Sequence, residues 1–167
     1  MTTAALHWYA LYLRSRYEQK VFQRLMNKQC EAFLPLIEKV HIWSDRKKKI
    51  KEPLFRGYVF VRTDLRDKED ILSTDGVVRF VGISGKPSPI PETQIDWLKR
   101  IISESMNVQC EKYYKVGERV RVIAGPLLGM EGIVTRNQGI SRVVISIAEI
   151  AQSFSVKVAA EELELIK

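Results

Sequence analysis

The stretch Lys51-Glu-Pro-Leu-Phe-Arg-Gly-Tyr-Val-Phe-Val-Arg62 constrains the fold of this chain more than any other, because a framed turn hands over to a strict alternation. Pro53 ends a charged run and Gly57 opens a strand. On a pleated strand Tyr58, Phe60 and Arg62 share one face while Val59 and Val61 share the other. The valines belong to a core. The two rings and the guanidinium form a platform that a soluble domain covers or uses.

The residues leave two uses open. Arg56-Gly57-Tyr58-Val59-Phe60-Val61 approximates an RNA-recognition signature, with Leu11-Tyr12-Leu13 as partner strand, although Val59 and Thr63 depart from it. The same face can equally dock on a helical hairpin of a large protein. Both rings can also be plain core.

The 167 residues, 46% of them hydrophobic, suffice for one ordinary domain or two small ones. No apolar run is long enough to span a bilayer, and Met1 to His7 lacks the pattern of a signal peptide, so a cytoplasmic protein without membrane contact is expected. Cys30 and Cys110 are far apart and are read as plain thiols. His7 and His41 are isolated, and no glycine-rich phosphate loop or paired carboxylates call for catalysis. No catalytic residue, cofactor or metal is expected.

The net charge of +7 is uneven. Up to Ser103 there are 19 Lys/Arg against 12 Asp/Glu, whereas residues 113–167 carry 7 against 6. The basic part suits a polyanion.

His7 to Leu13 is expected as a strand, and Tyr17 to Cys30 as a helix whose outer side, with Arg14, Arg16, Arg24 and Lys28, is a candidate phosphate cradle. Phe33 to Trp43 follows as a strand, broken early by Pro35. Ser44 to Lys51 is expected as a basic hairpin loop carrying Lys47, Lys48 and Lys49. A short helix over Asp67 to Ser73, a strand over Val77 to Ile83, a proline-rich connection and a helix over Thr93 to Met106 complete the order βαββαβα. That order predicts an α+β sandwich with helices on one face and the other face left for binding.

Residues 107–112 are short and polar and are read as a linker between domains spanning 1–106 and 113–167. Beyond it, Arg119 to Ile123, Glu131 to Arg136, Arg142 to Ile147, Ser153 to Val158 and Leu163 to Ile166 are short strands with turns such as Gly125-Pro126 and Asn137 to Gly139 between them. Five short strands in such a length predict a small all-β barrel.

Val116-Gly-Glu-Arg-Val-Arg-Val-Ile-Ala-Gly-Pro-Leu-Leu-Gly-Met-Glu-Gly-Ile-Val134 resembles a KOW motif, found in SH3-like barrels of ribosomal proteins and NusG-type factors. Trp8-Tyr9-Ala10-Leu11-Tyr12, Pro53-Leu-Phe-Arg-Gly-Tyr-Val-Phe-Val61, Gly76-Val-Val-Arg-Phe-Val-Gly82 and Pro87 to Pro91 resemble the N-terminal domain of the NusG family. Trp43-Ser-Asp-Arg-Lys-Lys-Lys49 followed by Glu52-Pro-Leu-Phe55 is similar to the UpxY group of specialised NusG paralogues, with an RfaH-like role. Arg56 departs from the family, which commonly has proline there, so a rigid corner is lost and a charge gained.

The resemblance implies a transcription elongation and antitermination factor of long capsular polysaccharide operons. It implies docking of an apolar hollow of Tyr12, Phe55, Tyr58 and Phe60 on the clamp helices of bacterial RNA polymerase. Lys68, Glu69 and Asp70 would reach the opposite pincer. The arginines and lysines above would meet the non-template DNA strand. Leu127, Leu128 and Met130 would meet a small-subunit ribosomal protein or the termination factor Rho. The alternative is an RNA-recognition-plus-KOW protein of ribosome assembly.

Overall fold

A computed structural model describes residues 5–104, 108–112, 117–137, 140–158 and 162–166. It divides into two compact units, residues 1–92 and 93–167. Among the described residues no helix is long and apolar enough to cross a membrane.

The first unit is built on a four-stranded sheet. Its strands are β1 (His7–Leu13), β2 (Glu31–Phe33), β5 (Tyr58–Thr63) and β6 (Val77–Phe80), in the order β2-β5-β1-β6. The alternation read from the sequence sets the register: β1 runs antiparallel to β5 from His7↔Thr63 to Tyr12↔Tyr58. Tyr9, Leu11 and Leu13 of β1 join Val59, Val61 and Phe80 on one face, where Val21 and Leu25 of α1 (Glu18–Asn27) and Ile71 of α2 (Lys68–Leu72) pack on them. Val21 and Leu25 are one helical turn apart, so they meet the sheet together. Burying each such aliphatic side chain contributes about 1.5–3 kcal/mol, and this layer is what fixes α1 to the sheet.

The opposite face is not left open. Trp8, Ala10 and Phe60 are buried there as well. The rings of Phe33 and Phe55 lie 6.2 and 6.1 Å from that of Phe60, and the backbone of Ile90 returns to Trp8, donating to its carbonyl at 2.7 Å. Aromatic side chains at such spacing pack edge-on or offset and exclude water between them. The expectation of a sheet with one free face therefore fails at its centre.

Pro35 splits the single strand expected over Phe33 to Trp43 into β2 and β3 (Leu36–Ile42). β3 pairs with β4 (Lys47–Pro53) over seven residue pairs, from Leu36↔Pro53 to Ile42↔Lys47. Lys47, Lys48 and Lys49 therefore stand on a strand and not in the loop expected for Ser44 to Lys51. The turn is only Trp43 to Arg46, closed by the Trp43 amide donating to the Arg46 carbonyl at 2.8 Å. Lysine is a poor strand former, but cross-strand partners such as Val40 and Ile42 override that preference. A small hairpin of β7 (Gly82–Ile83) and β8 (Lys86–Pro87) follows β6.

In the second unit lies α3 (Glu92–Ser103), which buries Ile95, Leu98 and Ile101 completely. Six antiparallel strands come next: β9 (Val108–Lys112), β10 (Glu118–Val122), β11 (Glu131–Asn137), β12 (Ile140–Ile147), β13 (Gln152–Lys157) and β14 (Leu163–Leu165), in the order β14-β10-β11-β12-β13-β9. Val120, Val122, Met130, Val144, Ile147, Phe154 and Val156 form their core. Five strands were expected here. The sixth, β9, occupies the stretch read as a linker and pairs with β13 from Val108↔Val156 to Gln152↔Lys112. Val108 and Cys110 alternate with Gln109 and Glu111, but so short and polar a run is read as a strand only once its partner is known. The expected domain start at Tyr113, the turn at 138–139 and the helix end at Met106 lie outside the described residues.

Candidate docking and nucleic-acid interface

The strand register brings three side chains into one row. Tyr58 lies directly opposite Tyr12, and Tyr12 directly opposite Arg79 of β6. The two tyrosine rings are 5.6 Å apart and the Arg79 guanidinium carbon sits 5.3 Å from the Tyr12 ring centre. Tyr12 is 39% exposed, Arg79 is exposed and Tyr58 is half-buried. A cation over an exposed ring contributes about 0.5–1 kcal/mol, so the row is ordered before any partner arrives.

Phe55 and Phe60, the other two members of the expected hollow, are 1% and 0% exposed. They support the row from beneath and cannot touch a partner. Arg79 was not singled out in the sequence. Its place beside Tyr12 depends on β6 lying next to β1, which the spacing of residues does not reveal.

Gly57 holds the row to α1. Its amide donates to Glu18 Oε1 at 2.8 Å, and its carbonyl accepts from the Leu13 amide at 2.8 Å. Its φ of +82° is the left-handed region that glycine enters without a Cβ penalty. Beside this turn runs a groove of about 780 Å³ lined by Tyr12, Ser15, Arg16, Lys20, Pro53 and Arg56, among others. Arg16 has φ +65°, strained for a residue with a Cβ, and its side chain is exposed without an ion pair among the described residues.

The other cations expected around α1 are engaged. Arg14 Nη1 reaches Asp75 Oδ1 at 3.2 Å, and Arg24 Nη1 reaches Asp75 Oδ2 at 3.0 Å and the Asp75 carbonyl at 2.7 Å. Lys28 Nζ reaches Asp70 Oδ1 at 3.0 Å, the Asp70 carbonyl at 2.7 Å and Ser73 Oγ at 3.1 Å. Two residues expected to serve different partners, Lys28 for DNA and Asp70 for polymerase, are thus bonded to each other. Lys68 and Glu69 stand in the first turn of α2, Lys68 half-buried and Glu69 exposed.

On the β3–β4 ribbon, Glu52 gathers cations on one face. It accepts from His41 Nε2 at 2.7 Å and lies 3.6 Å from both Lys39 Nζ and Arg56 Nη2. The hydrogen bond from His41, with Lys39 and Arg56 beside it, holds the Glu52 carboxyl below the usual range. Arg56, its side chain 78% exposed, adds a loose ion pair beside the turn. Lys47, Lys48, Lys49 and Lys51 are exposed and have no such partner among the described residues.

In the second unit Leu127 and Met130 are 2% and 0% exposed and form core. Leu128 is 56% exposed, and its carbonyl accepts from Arg100 Nη1 at 3.4 Å. Of the three candidates in that loop it alone is available to a partner. Ile123, 46% exposed, joins it as an apolar surface residue, because Val120 and Val122 take the inward positions of β10.

Comparison with known proteins gives a consistent result. The family described as "Transcription termination factor nusG" matches residues 6–99. NusG of Pseudomonas aeruginosa, a transcription termination/antitermination protein, is 27% identical over 176 residues, covering 97% of this chain and 99% of its own length. That of Staphylococcus epidermidis is 32% identical over 145 residues, covering 78% of this chain and 79% of itself. A structure of Thermotoga maritima NusG shares the fold at a TM-score of 0.60, with 23% identity and 98% of both chains covered. The chain belongs to the NusG family and is a non-enzymatic transcription termination/antitermination factor.

Proposed function

We propose that the chain is a specialised NusG paralogue, close in role to RfaH and to the UpxY group, that rides on bacterial RNA polymerase in the cytoplasm. The Tyr12–Tyr58–Arg79 row docks on the clamp helices of the polymerase. The observation that carries this is the row itself: two tyrosines and an arginine, the residue types that dominate binding energy in protein interfaces, held in order at the sheet surface. Lys68 and Glu69 reach the opposite pincer. A factor that binds both sides of the nucleic-acid channel favours the closed clamp by its preference for that state, and so suppresses pausing and termination without breaking a bond.

Arg16, beside the groove, contacts the non-template strand directly. Arg14, Arg24 and Lys28 contribute only after exchanging Asp75 and Asp70 for phosphate. Lys47, Lys48 and Lys49 add positive charge that draws in nearby DNA. Leu128 and Ile123 offer the second unit a contact to a small-subunit ribosomal protein or to Rho. The capsular operon assignment is supported by the basic run at 43–49 and by Glu52 to Phe55 alone.

The experiment is capture of bacterial RNA polymerase, with a readthrough assay on leader sequences. Tyr12→Ala/Tyr58→Ala, both on the surface row, is expected to weaken capture roughly thirtyfold or more, as loss of a hot spot does, and to abolish readthrough. Failure of the wild type to capture polymerase sinks the proposal. Unchanged capture by the double variant moves the docking surface elsewhere.

A further inference from the structure

The β3–β4 ribbon has two chemically different faces. Residues directly opposite in an antiparallel pair share a face, so Val40, Ile42, Lys47 and Lys49 lie together on one side, with Glu38 opposite Lys51 towards the base of that side, and Ile37, Lys39, His41, Lys48, Ile50 and Glu52 lie on the other. On the second face Glu52 already binds Lys39 and His41. On the first, Val40 is 57% exposed and Ile42 is 78% exposed, two adjoining apolar side chains beside Lys47 and Lys49, which form no ion pair among the described residues.

Val40 and Ile42 adjoin on that face, and adjoining exposed apolar side chains mark an interaction surface where isolated ones do not. The charge limits the occupant. Apolar contact together with unpaired ammonium groups suits a polyanion whose surface also offers methyl groups.

We infer that this face of the ribbon is a major-groove reader of duplex DNA, with Lys47, Lys49 and Lys51 on phosphates and Val40 and Ile42 against thymine methyls. The dimensions agree. Two strands about 4.8 Å apart and seven residues, about 24 Å, long fit a B-form major groove about 12 Å wide. The major groove of A-form RNA is too narrow for such an element. The base of the ribbon is anchored well enough to present it, because the Leu54 amide donates to the Pro35 carbonyl at 2.8 Å and Leu34, Leu54 and Phe55 are buried there. The inference concerns a duplex and does not depend on polymerase docking.

The test is fluorescence anisotropy of the full chain, without polymerase, on an A·T-rich DNA duplex, the same duplex with uracil replacing thymine, and an RNA duplex of matching sequence. Uracil removes only the methyl in the major groove. It is expected to weaken wild-type binding roughly fourfold per contacted methyl and to leave Val40→Ser/Ile42→Ser unaffected. Lys47→Ser/Lys49→Ser is expected to reduce the slope of log affinity against log salt by about 1.8, and the charge-matched Lys86→Ser/Lys157→Ser to change it little. Equal affinity for DNA and RNA duplexes, indifference of the wild type to uracil, or equal loss in the charge-matched control overturns the inference. So does absence of duplex binding, including the case in which vesicles of phosphatidylcholine and phosphatidylserine bind instead. Because the uracil arm alters only the DNA, it reads out even if a protein variant misfolds.

Discussion

Arg14, Arg24 and Lys28 around α1 and Lys47, Lys49 and Lys51 on β4 are the same kind of residue in opposite conditions. The first set is held by Asp75 and Asp70, which come from the segment between β5 and β6. The second faces solvent beside exposed Val40 and Ile42. Positive charge in a sequence is therefore not a measure of charge available to a nucleic acid. A phosphate that approaches α1 has to displace an internal carboxylate, whereas one that approaches β4 displaces only water and counterions.

The difference can be broken at the turn that delivers Asp75. Gly76 has φ +102°, and a Cβ there would meet the Tyr17 ring at 2.5 Å and Val21 Cγ2 at 2.7 Å. Gly76→Ala is expected to lower stability by about 2–4 kcal/mol, combining left-handed strain with overpacking. Urea unfolding checks it. A neutral result would mean that the turn yields easily and that the α1 cations are not firmly held.

A gentler change sharpens the comparison. Asp75→Asn removes the carboxylate charge that Arg14 and Arg24 share, leaving only the Arg24 bond to the residue 75 carbonyl, while costing no more than about 1 kcal/mol, because these pairs are exposed. It is expected to raise affinity for single-stranded DNA and to steepen its salt dependence by up to about 1.4, two contacts at single-strand slope. No gain would show that the two arginines are out of reach of a strand even when unpaired.

Acid gives the smallest effect. The Glu52 carboxyl has its affinity for protons depressed in the folded chain, so its contribution is present above the ordinary glutamate range and fades as pH falls through the lower, folded value. Protection of the β3 and β4 amides, taken relative to their intrinsic exchange at each pH, should fall in that acidic window.

Much of this was legible in the sequence. The alternation after Gly57 placed β5, and the helical spacing of Val21 and Leu25 placed the inner side of α1. Alternating valines and isoleucines placed five of the six strands of the second unit. Pairing partners were not legible, because Arg14 and Arg24 meet Asp75 across 61 and 51 residues and Lys28 meets Asp70 across 42. Local pattern carries no such information. The same limit explains the candidate site. Tyr12 and Tyr58 could be named from their strands. That Phe60 and Phe55 would be sealed beneath them, or that Arg79 would complete the row, depends on which strands become neighbours. Lys47 to Lys49 read as loop because lysine runs favour solvent, and the strand across from them kept them extended.

The ribbon leaves the sheet through Leu34-Pro35 and returns through Leu54-Phe55, and the register of the four-stranded sheet owes nothing to how far it extends in between. Its length is therefore a free variable for evolution or for a protein engineer. One residue added to each strand near the base would turn the whole tip over, exchanging the apolar-cationic side for the one that Glu52 neutralises. Two added to each strand would restore the side and move it about 7 Å outward. Relatives whose ribbons differ by odd and even numbers of pairs should then fall into two groups that present opposite sides to the same target.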